Sequence, residues 1–138
     1  MAQRSRAREV ALQLLYQLDA NKNVPRDAIE GFVRDRLHHA DLETFCLALY
    51  DGVGAHAEAI DQALTAAAQN WRLVRMAAVD RNVLRLGCYE LLFAPDTPPG
   101  VTLNEAIELA RRYGSANSPA FVNGVLDRVR SHAAPAPG

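Results

Sequence analysis

The segment from Asp80 to Phe93 constrains the fold more than any other part of the sequence. Its apolar residues occupy every side of the helix that the segment is expected to form. A helix that is apolar all round has to be enclosed by other elements, because each of its faces would otherwise be exposed to water. The sequence therefore predicts a helical bundle with residues 80–93 at its centre.

The rest of the chain repeats apolar residues every three or four positions, the spacing of a single helical face. These stripes run over residues 6–19, 25–37, 41–64, 102–114 and 118–129. No segment alternates apolar and polar residues between turn signals, as a strand would. The predicted fold class is all-α, a compact bundle of about six to seven helices.

Turn-forming residues predict where several helices begin and end. Thr102 and Glu105 have the spacing of a capping box, and Gly114 is expected to end that helix in a left-handed conformation. Gly52 and Gly54 are expected to kink or split the third stripe. Ser118 followed by proline predicts the start of the last helix.

A length of 138 residues suits one domain, which we expect to cover residues 1–131, with a disordered tail over 132–138. Cys46 and Cys88 lack CxxC spacing and are expected to be small buried residues of a protein in a reducing compartment. No apolar run reaches the roughly 20 residues that cross a bilayer, and the amino terminus lacks a signal-peptide pattern. A cytoplasmic protein is predicted.

The positive charge at the amino terminus is unfavourably placed for folding alone. Residues 1–18 carry three arginines and one glutamate, whereas residues 19–61 carry nine acids and four bases. Cations at the start of a helix oppose its dipole, so Arg4, Arg6 and Arg8 indicate an anionic partner such as a phosphate backbone. Arg4 and Arg8 would share a helical face. A solvated leader without a partner is the open alternative.

A second candidate binding region lies between Gly114 and Gly124, where one helix ends and the next begins. Free backbone N–H groups at such a joint can meet an anion. Asn117 and Ser118 add hydrogen-bonding groups, and Phe121 could stack on an unpaired base. For Phe121 taken alone, core packing is the better explanation, and close helix packing would explain Gly124.

No catalytic or metal-binding pattern stands out. The sequence has no HExxH, no CxxC and no glycine-rich phosphate loop. Adjacent His38 and His39 cannot easily share one metal ion, and the spacings of five among Asp51, His56 and Asp61 place them poorly on one helical face. No enzyme, metal or cofactor is predicted, although a metal-dependent helical hydrolase is kept as a weak rival.

Four stretches, in order and spacing, resemble the NusB family of transcription antitermination factors. They are AREVALQLLYQLD (7–19), VDRNVLRLGCYEL (79–91), VTLNEAIELARRYG (101–114) and SPAFVNGVLDRV (118–129). Residues from about 20 to 70 match the family only in helical character. The resemblance implies an all-α fold of about seven helices that binds single-stranded boxA RNA of ribosomal RNA leaders. It further implies that this binding is shared with the small-subunit ribosomal protein NusE, within the RNA polymerase antitermination complex.

The resemblance also implies roles for individual residues. The RNA-binding residues would be Arg4, Arg6, Arg8, Asn117, Ser118 and Phe121. The residues facing NusE would be Tyr16, Asp80 and Arg81. Because both monomers and dimers occur in the family, a homodimer is compatible with the resemblance.

Two features depart from the family pattern. The arginine leader is short and interrupted, which predicts modest RNA affinity, and Asp80 is shorter than the Glu expected there.

Two rival functions stay open. The first rival is a helical protein–protein interaction module. The second is the RNA-binding domain of ribosomal RNA cytosine methyltransferases, which the lack of a methyl-donor domain before Gly138 disfavours.

Overall fold

The computed structural model describes residues 3–69, 71–94 and 96–133. Within them the chain forms seven α-helices and a short 3₁₀ turn, and no strand is assigned. The predicted all-α class and helix number are confirmed. The helices are α1 (Gln3–Ala20), α2 (Arg26–Leu37), α3 (Ala40–Ala55), α4 (Ala57–Ala68), α5 (Ala78–Phe93), α6 (Pro99–Tyr113) and α7 (Ser118–Ala133), and the 3₁₀ turn is Leu73–Arg75.

The helices belong to two compact units that divide between Ala55 and His56. The amino-terminal unit contains α1–α3, and the carboxy-terminal unit contains α4–α7. A single domain over residues 1–131 stays a prediction. Within the predicted tail, residues 132 and 133 complete α7, and residues 134–138 lie outside the described residues.

In the amino-terminal unit, α1 packs against α2 and α3, and α2 packs against α3. The predicted stripe of α1 forms the centre of this contact, because Ala7, Val10 and Ala11 are completely buried. Val33 of α2 and Cys46 of α3 are also completely buried. The three-to-four spacing read from the sequence therefore corresponds to a real apolar interface.

The ends of α2 depend on two residues with suitable backbone geometry. Pro25 precedes α2 as its N-terminal cap, with φ of −62° and ψ of 149°. At the other end His38 adopts a left-handed φ of 53°, and its N–H donates to the carbonyl of Arg34 at 3.2 Å. His38 and His39 thus lie between α2 and α3, which begins at Ala40.

In the carboxy-terminal unit, α5 packs against α4, α6 and α7. None of its residues is exposed, and Val83, Leu84 and Cys88 are completely buried. The prediction that this helix is the central one is confirmed within its unit. Its partners α4 and α7 contribute fully buried Leu64 and Leu126.

The close approach of α5 to α7 depends on Gly87, a residue that sequence reasoning passed over. A Cβ atom built at Gly87 would lie 2.6 Å from Cδ1 of the fully buried Leu126. At Gly124, by contrast, a Cβ would meet Arg128 Nη1 at an ordinary 3.6 Å. The close packing predicted at Gly124 is therefore wrong, and the tight contact lies at Gly87.

The capping box predicted at Thr102 is also wrong, because α6 begins three residues earlier at Pro99. A proline suits the first helical position, since it lacks the N–H that the helix leaves unpaired there. The backbone N–H of Thr102 donates to the carbonyl of Pro98 at 3.1 Å, and the Thr102 side chain is buried. Thr102 thus belongs to the first turn of α6 and not to its cap.

Gly114 ends α6 as predicted, but not in the left-handed conformation. Its φ of −97° and ψ of −165° are extended, a conformation open to any residue. A glycine is needed for another reason: a Cβ there would lie 2.5 Å from Ser118 Oγ and 2.7 Å from the carbonyl oxygen of Ala110. The glycine is needed because a larger side chain would collide with Ser118 and Ala110, and its backbone angles do not require it.

Helix α3 continues through Gly52 and Gly54 and ends at Ala55. The break predicted at the glycines occurs at His56, which caps α4. None of the described helices has the length and apolar character needed to span a bilayer.

Candidate functional site

The amino terminus of α1 places two arginines on one aromatic ring. The guanidinium carbons of Arg4 and Arg8 lie 4.4 Å and 5.1 Å from the centre of the Phe45 ring. This geometry confirms that Arg4 and Arg8 share a face of the helix. A cation over a ring face is attracted by the ring quadrupole. The Phe45 ring therefore keeps the guanidinium groups of Arg4 and Arg8 close together at the start of α1.

The three arginines differ in what they can offer to a partner. Arg4 is exposed, whereas Arg8 is 3% exposed and is part of the packed structure. Arg6 is half-exposed and pairs with the buried carboxylate of Glu9 at 3.3 Å. Within the described part of the chain no carboxylate pairs with Arg4, so its charge is the one most available to an anion.

Sequence reasoning missed Phe45. It belongs to the apolar stripe predicted over residues 41–64, and a residue of such a stripe is expected to lie in the core. The structure leaves it partly exposed beneath the arginines. A local signal could not have found it, since Arg4 and Phe45 are brought together by the packing of α1 on α3.

In the carboxy-terminal unit, the segments before α5 and α7 line an open cavity of about 220 Å³. We call it the Trp71 cavity. The family resemblance implies that Asp80 faces a protein partner and that Asn117, Ser118 and Phe121 bind RNA, but all four residues line this one cavity. Its lining residues are Trp71, Arg75, Met76, Ala77, Asp80, Ser115, Asn117, Ser118 and Phe121.

Two aromatic rings form one side of the Trp71 cavity. Trp71 and Phe121 meet edge to face, with ring centres 5.9 Å apart and planes at 72°. Trp71 is 57% exposed, and Phe121 is partly buried. Trp71 lies outside the predicted helical stripes, and no local pattern distinguishes it from an ordinary loop tryptophan.

Ser118 shapes the cavity from inside the structure. It is 1% exposed, and its Oγ accepts a hydrogen bond from the N–H of Ser115 at 3.0 Å. The two serine hydroxyls also lie 3.2 Å apart. These contacts fix the loop before α7, so that the neighbouring Asn117 is exposed at the cavity.

The two residues at the start of α5 have different environments. Arg81 Nη1 donates to the carbonyl oxygens of Leu73 and Met76, at 3.0 Å and 3.2 Å, and so fixes the 3₁₀ turn to α5. Asp80 has one buried carboxylate oxygen, Oδ1, with no hydrogen-bond partner among the described residues. A buried acceptor without a donor is costly and uncommon in native structures.

Tyr16, the other residue predicted to face a protein partner, lies on α1. It is 48% exposed, and among the described residues of the amino-terminal unit it is the one large apolar side chain exposed to solvent. The described residues show no ring contact or hydrogen bond that would hold it. Its position leaves it accessible to a partner.

The residues considered for catalysis are engaged in structural contacts. Asp51 accepts two hydrogen bonds from Arg26, at 2.6 Å and 3.0 Å. Asp61 similarly pairs with Arg85, and the His56 ring stacks on Phe93 with 3.9 Å between ring centres. Across residues 3–69, 71–94 and 96–133, no three metal-ligating side chains form a cluster.

The two cysteines have poorly reactive thiols. Both are completely buried, and burial raises the pKa of each thiol to about 12. The carboxylate of Asp61 adds to this increase of the pKa at Cys88. Because the thiolate is the nucleophilic form, neither residue is suited to catalysis near neutral pH.

Comparison with known proteins places these surfaces in a family context. The sequence profile described as the NusB family matches residues 5–131. Transcription antitermination protein NusB of Anaeromyxobacter dehalogenans is 50% identical over 137 residues, covering 98% of this chain and 95% of its own length.

Solved structures give the same result. The structure of T. maritima NusB has 36% identity and a TM-score of 0.84, and covers 96% of this chain and 93% of that one. A second similar chain comes from a structure of antitermination factors NusB and NusE in complex with double-stranded RNA. It has 28% identity and a TM-score of 0.86, with 96% of this chain and 98% of that one covered.

Proposed function

Because the chain belongs to the NusB family, we propose that it is a transcription antitermination factor that binds boxA RNA of ribosomal RNA leaders. In this proposal it acts jointly with the ribosomal protein NusE, within the RNA polymerase antitermination complex. The role is that of a non-enzymatic scaffold without a cofactor, working in the cytoplasm where the RNA is made. The proposal is carried by the similarity, over 96% of this chain, to a protein solved with NusE and RNA.

The amino-terminal unit supports RNA binding through charge. Arg4 is exposed and lies over Phe45, so its guanidinium is held in place before any RNA arrives. A phosphate contact from such a residue releases a counterion and adds affinity without reading the sequence. Arg6 and Arg8 contribute less in this proposal, because one is paired with Glu9 and the other is buried.

The carboxy-terminal unit supports contacts with bases. Phe121 and the exposed Trp71 offer aromatic surface beside the neutral hydrogen-bonding side chain of Asn117. Stacking on aromatic side chains and hydrogen bonds to base edges are the common means of recognising unpaired RNA. Ser118 acts by positioning the loop.

For the NusE contact, Tyr16 is the strongest residue because it is exposed. Arg81 supports that contact indirectly in this proposal, since its guanidinium holds the 3₁₀ turn. A helical protein-binding module is the second candidate function. It is favoured by the 82% exposure of Val74, an apolar residue in the 3₁₀ turn Leu73–Arg75.

The test is binding of labelled boxA RNA and of a scrambled RNA, with and without NusE, at two salt concentrations. Because the similar complex contains double-stranded RNA, each sequence is used as a single strand and as a duplex. The variants are Arg4→Ala and, as a charge-matched control, Arg34→Ala, which removes an exposed arginine of α2 in the same unit.

We expect preference for single-stranded boxA, enhanced by NusE, with weaker binding and a shallower salt dependence for Arg4→Ala than for Arg34→Ala. Equal binding of boxA and scrambled RNA with NusE present would refute the antitermination role. Binding of NusE without any RNA preference would favour the protein-binding module.

A further inference from the structure

We propose that Arg128 of α7 binds a phosphate group of the bound RNA, beside the base that stacks on the aromatic pair of Trp71 and Phe121. This inference rests on the proposed function, because it names a further contact made by the RNA that the chain binds. It adds a phosphate contact to the carboxy-terminal unit, on the surface of α7 itself. It also gives a role to Gly124, whose place inside α7 the packing does not explain.

The first observation is that the guanidinium group of Arg128 is held in place. Its Nε donates to the carbonyl oxygen of Ala67 at 2.6 Å, in the last turn of α4. A cation at the carboxyl end of a helix is favourable, so this hydrogen bond has a structural role. It uses only one of the five N–H donors of the side chain, and a guanidinium already fixed in place loses less conformational entropy when it binds a ligand.

The second observation concerns the donors that remain. Among the described residues, Nη1 and Nη2 of Arg128 have no hydrogen-bond or ion-pair partner. Arg128 is half-buried, but neither Nη atom is among the buried side-chain atoms that lack a partner, so both reach solvent. The adjacent carboxylate of Asp127 pairs with Arg130 at 2.8 Å and does not neutralise Arg128. A fixed cation without a counter-ion is suited to bind an anion.

The third observation is the open surface beside the guanidinium. Phe121, Gly124 and Arg128 are spaced three and four residues apart, so they share one face of α7. The Arg128 side chain extends back along this face, since a Cβ atom built at Gly124 would lie 3.6 Å from its Nη1 and 3.9 Å from its Nη2. A glycine inside a helix lowers stability relative to alanine. At this position it leaves the two Nη donors uncovered.

The position of the guanidinium indicates which anion it meets. Helix α7 rises about 10 Å from Phe121 to Arg128, and the guanidinium lies over Gly124, closer to Phe121. Phe121 in turn meets the exposed ring of Trp71 edge to face. In the proposed function an unpaired base stacks on these rings, and the phosphate of that nucleotide lies beside it. The planar fork of the two Nη donors matches the oxygen atoms of a phosphate group.

A glycine beside an arginine is not by itself a binding site. In α2, a Cβ atom built at Gly31 would lie 3.7 Å from Nη2 of Arg34, nearly the same geometry. Arg34 is exposed, however, and no hydrogen bond or ion pair holds it among the described residues. Gly31 and Arg34 therefore provide a matched control for Gly124 and Arg128.

The first experiment measures the salt dependence of boxA RNA binding in the presence of NusE. The variants are Arg128→Ala and, as a control on the same helix, Arg130→Ala, which removes an exposed arginine paired with Asp127. We expect Arg128→Ala to weaken boxA binding about tenfold and to reduce the salt slope by about 1, because one phosphate contact is lost. Arg130→Ala should leave both unchanged. An unchanged salt slope in Arg128→Ala would overturn the proposal.

The second experiment keeps Arg128 and its hydrogen bond to Ala67. Gly124→Glu places a carboxylate four residues before Arg128, the spacing at which a helical ion pair forms. Gly31→Glu is the matched control, since it places the same charge beside Arg34. Because glutamate favours a helix more than glycine does, both variants should have thermal midpoints at least equal to that of the wild type. A loss of RNA binding then cannot come from unfolding.

We expect Gly124→Glu to weaken boxA binding about tenfold, because its carboxylate occupies the guanidinium and repels the phosphate, and Gly31→Glu to weaken it by less than about twofold. Equal effects of the two substitutions would mean that the added charge acts on the RNA at long range. That outcome would overturn the assignment to Arg128.

The failure of this proposal differs from a failure of the proposed function. If the wild type prefers boxA over scrambled RNA but Arg128→Ala and Gly124→Glu keep its salt slope, the antitermination role stands and the phosphate assignment fails. If boxA is not preferred, the proposed function fails and the phosphate assignment with it. Loss of NusE binding in Arg128→Ala, with an unchanged salt slope, would assign the guanidinium to the protein partner and overturn the proposal as well.

Discussion

The two units of the molecule offer binding surfaces of different kinds. In the amino-terminal unit, the candidate surface is the exposed Arg4, which lies on the ring of Phe45. In the carboxy-terminal unit, the candidate surface is a cavity whose walls come from the segments before α5 and α7. In the proposed function the two units therefore have different roles. Phosphate contacts of the amino-terminal unit supply affinity, and base contacts of the carboxy-terminal unit supply specificity.

The two surfaces also depend differently on packing. The amino-terminal surface needs two side chains in contact, whereas the cavity needs α5, α6 and α7 to hold their positions. Damage to the core of the carboxy-terminal unit should therefore remove base recognition before it removes salt-dependent RNA binding. Four predictions test or sharpen this contrast.

The largest effect is expected for Leu126→Ala, which removes a fully buried side chain where α7 meets α5. Large-to-small changes at such sites lower the free energy of unfolding by about 2–5 kcal/mol. Urea unfolding followed by Trp71 fluorescence would measure the loss in the carboxy-terminal unit. A loss below about 1 kcal/mol would mean that the contact between α5 and α7 does not hold the unit together.

A smaller effect is expected for Gly87→Ala. The new Cβ would lie 2.6 Å from the buried Leu126 Cδ1, and overpacking of this kind costs about 1–3 kcal/mol. Gly124→Ala is the matched control, because its Cβ would meet nothing nearer than 3.6 Å. That change should raise the free energy of unfolding by about 0.5–1 kcal/mol. Equal shifts of the thermal midpoint in the two variants would contradict the packing described for α5.

The third prediction compares Phe121→Ala with Arg4→Ala in RNA binding. Loss of an aromatic stacking partner costs about 1–3 kcal/mol per base, so Phe121→Ala should weaken boxA binding about tenfold and weaken binding of scrambled RNA less, because only boxA brings a base to Phe121 in a fixed register. Arg4→Ala should weaken both RNAs alike and reduce the salt slope by about 1. If both variants reduced binding of the two RNAs equally, the proposed division between affinity and specificity would be wrong.

The smallest effect concerns the buried thiols, one in each unit. The pKa of each is raised to about 12 in the folded state by burial, so their contribution to stability is present below the unfolded pKa and is lost as pH rises toward 12. Between pH 8 and pH 10 each thiol should lower the free energy of unfolding by about 1 kcal/mol. In urea unfolding, Cys46→Ala and Cys88→Ala should each remove the part of this pH-dependent decrease in the free energy of unfolding that comes from the substituted thiol. A pH dependence that stays unchanged in both variants would exclude the thiols as its cause.

Much of the fold could be predicted from the sequence because its signals are local. The apolar stripe of α1 and the all-round apolar character of α5 appear in the sequence and correspond to buried residues in the structure. The shared helical face of Arg4 and Arg8 follows from a spacing of four. These features depend on helical periodicity and need no knowledge of the neighbouring elements.

Errors arose where two local signals competed or where a neighbour decided the outcome. Helix α6 begins at Pro99 and not at the capping box predicted at Thr102, although both signals are present in the sequence. Gly114 was correctly identified as a helix end, but the reason lies in the closeness of Ser118 and not in its backbone angles. The closeness of Leu126 likewise explains Gly87.

The sequence by itself determined the helices, the central position of α5 and the arginine-rich start of α1, since each is encoded within a few turns of chain. Only the tertiary structure decided that Arg4 lies on Phe45 and that Trp71, Asp80 and Phe121 line one cavity. Residues this far apart in sequence meet because helix faces pack against one another, and helical periodicity carries no information about which faces those are.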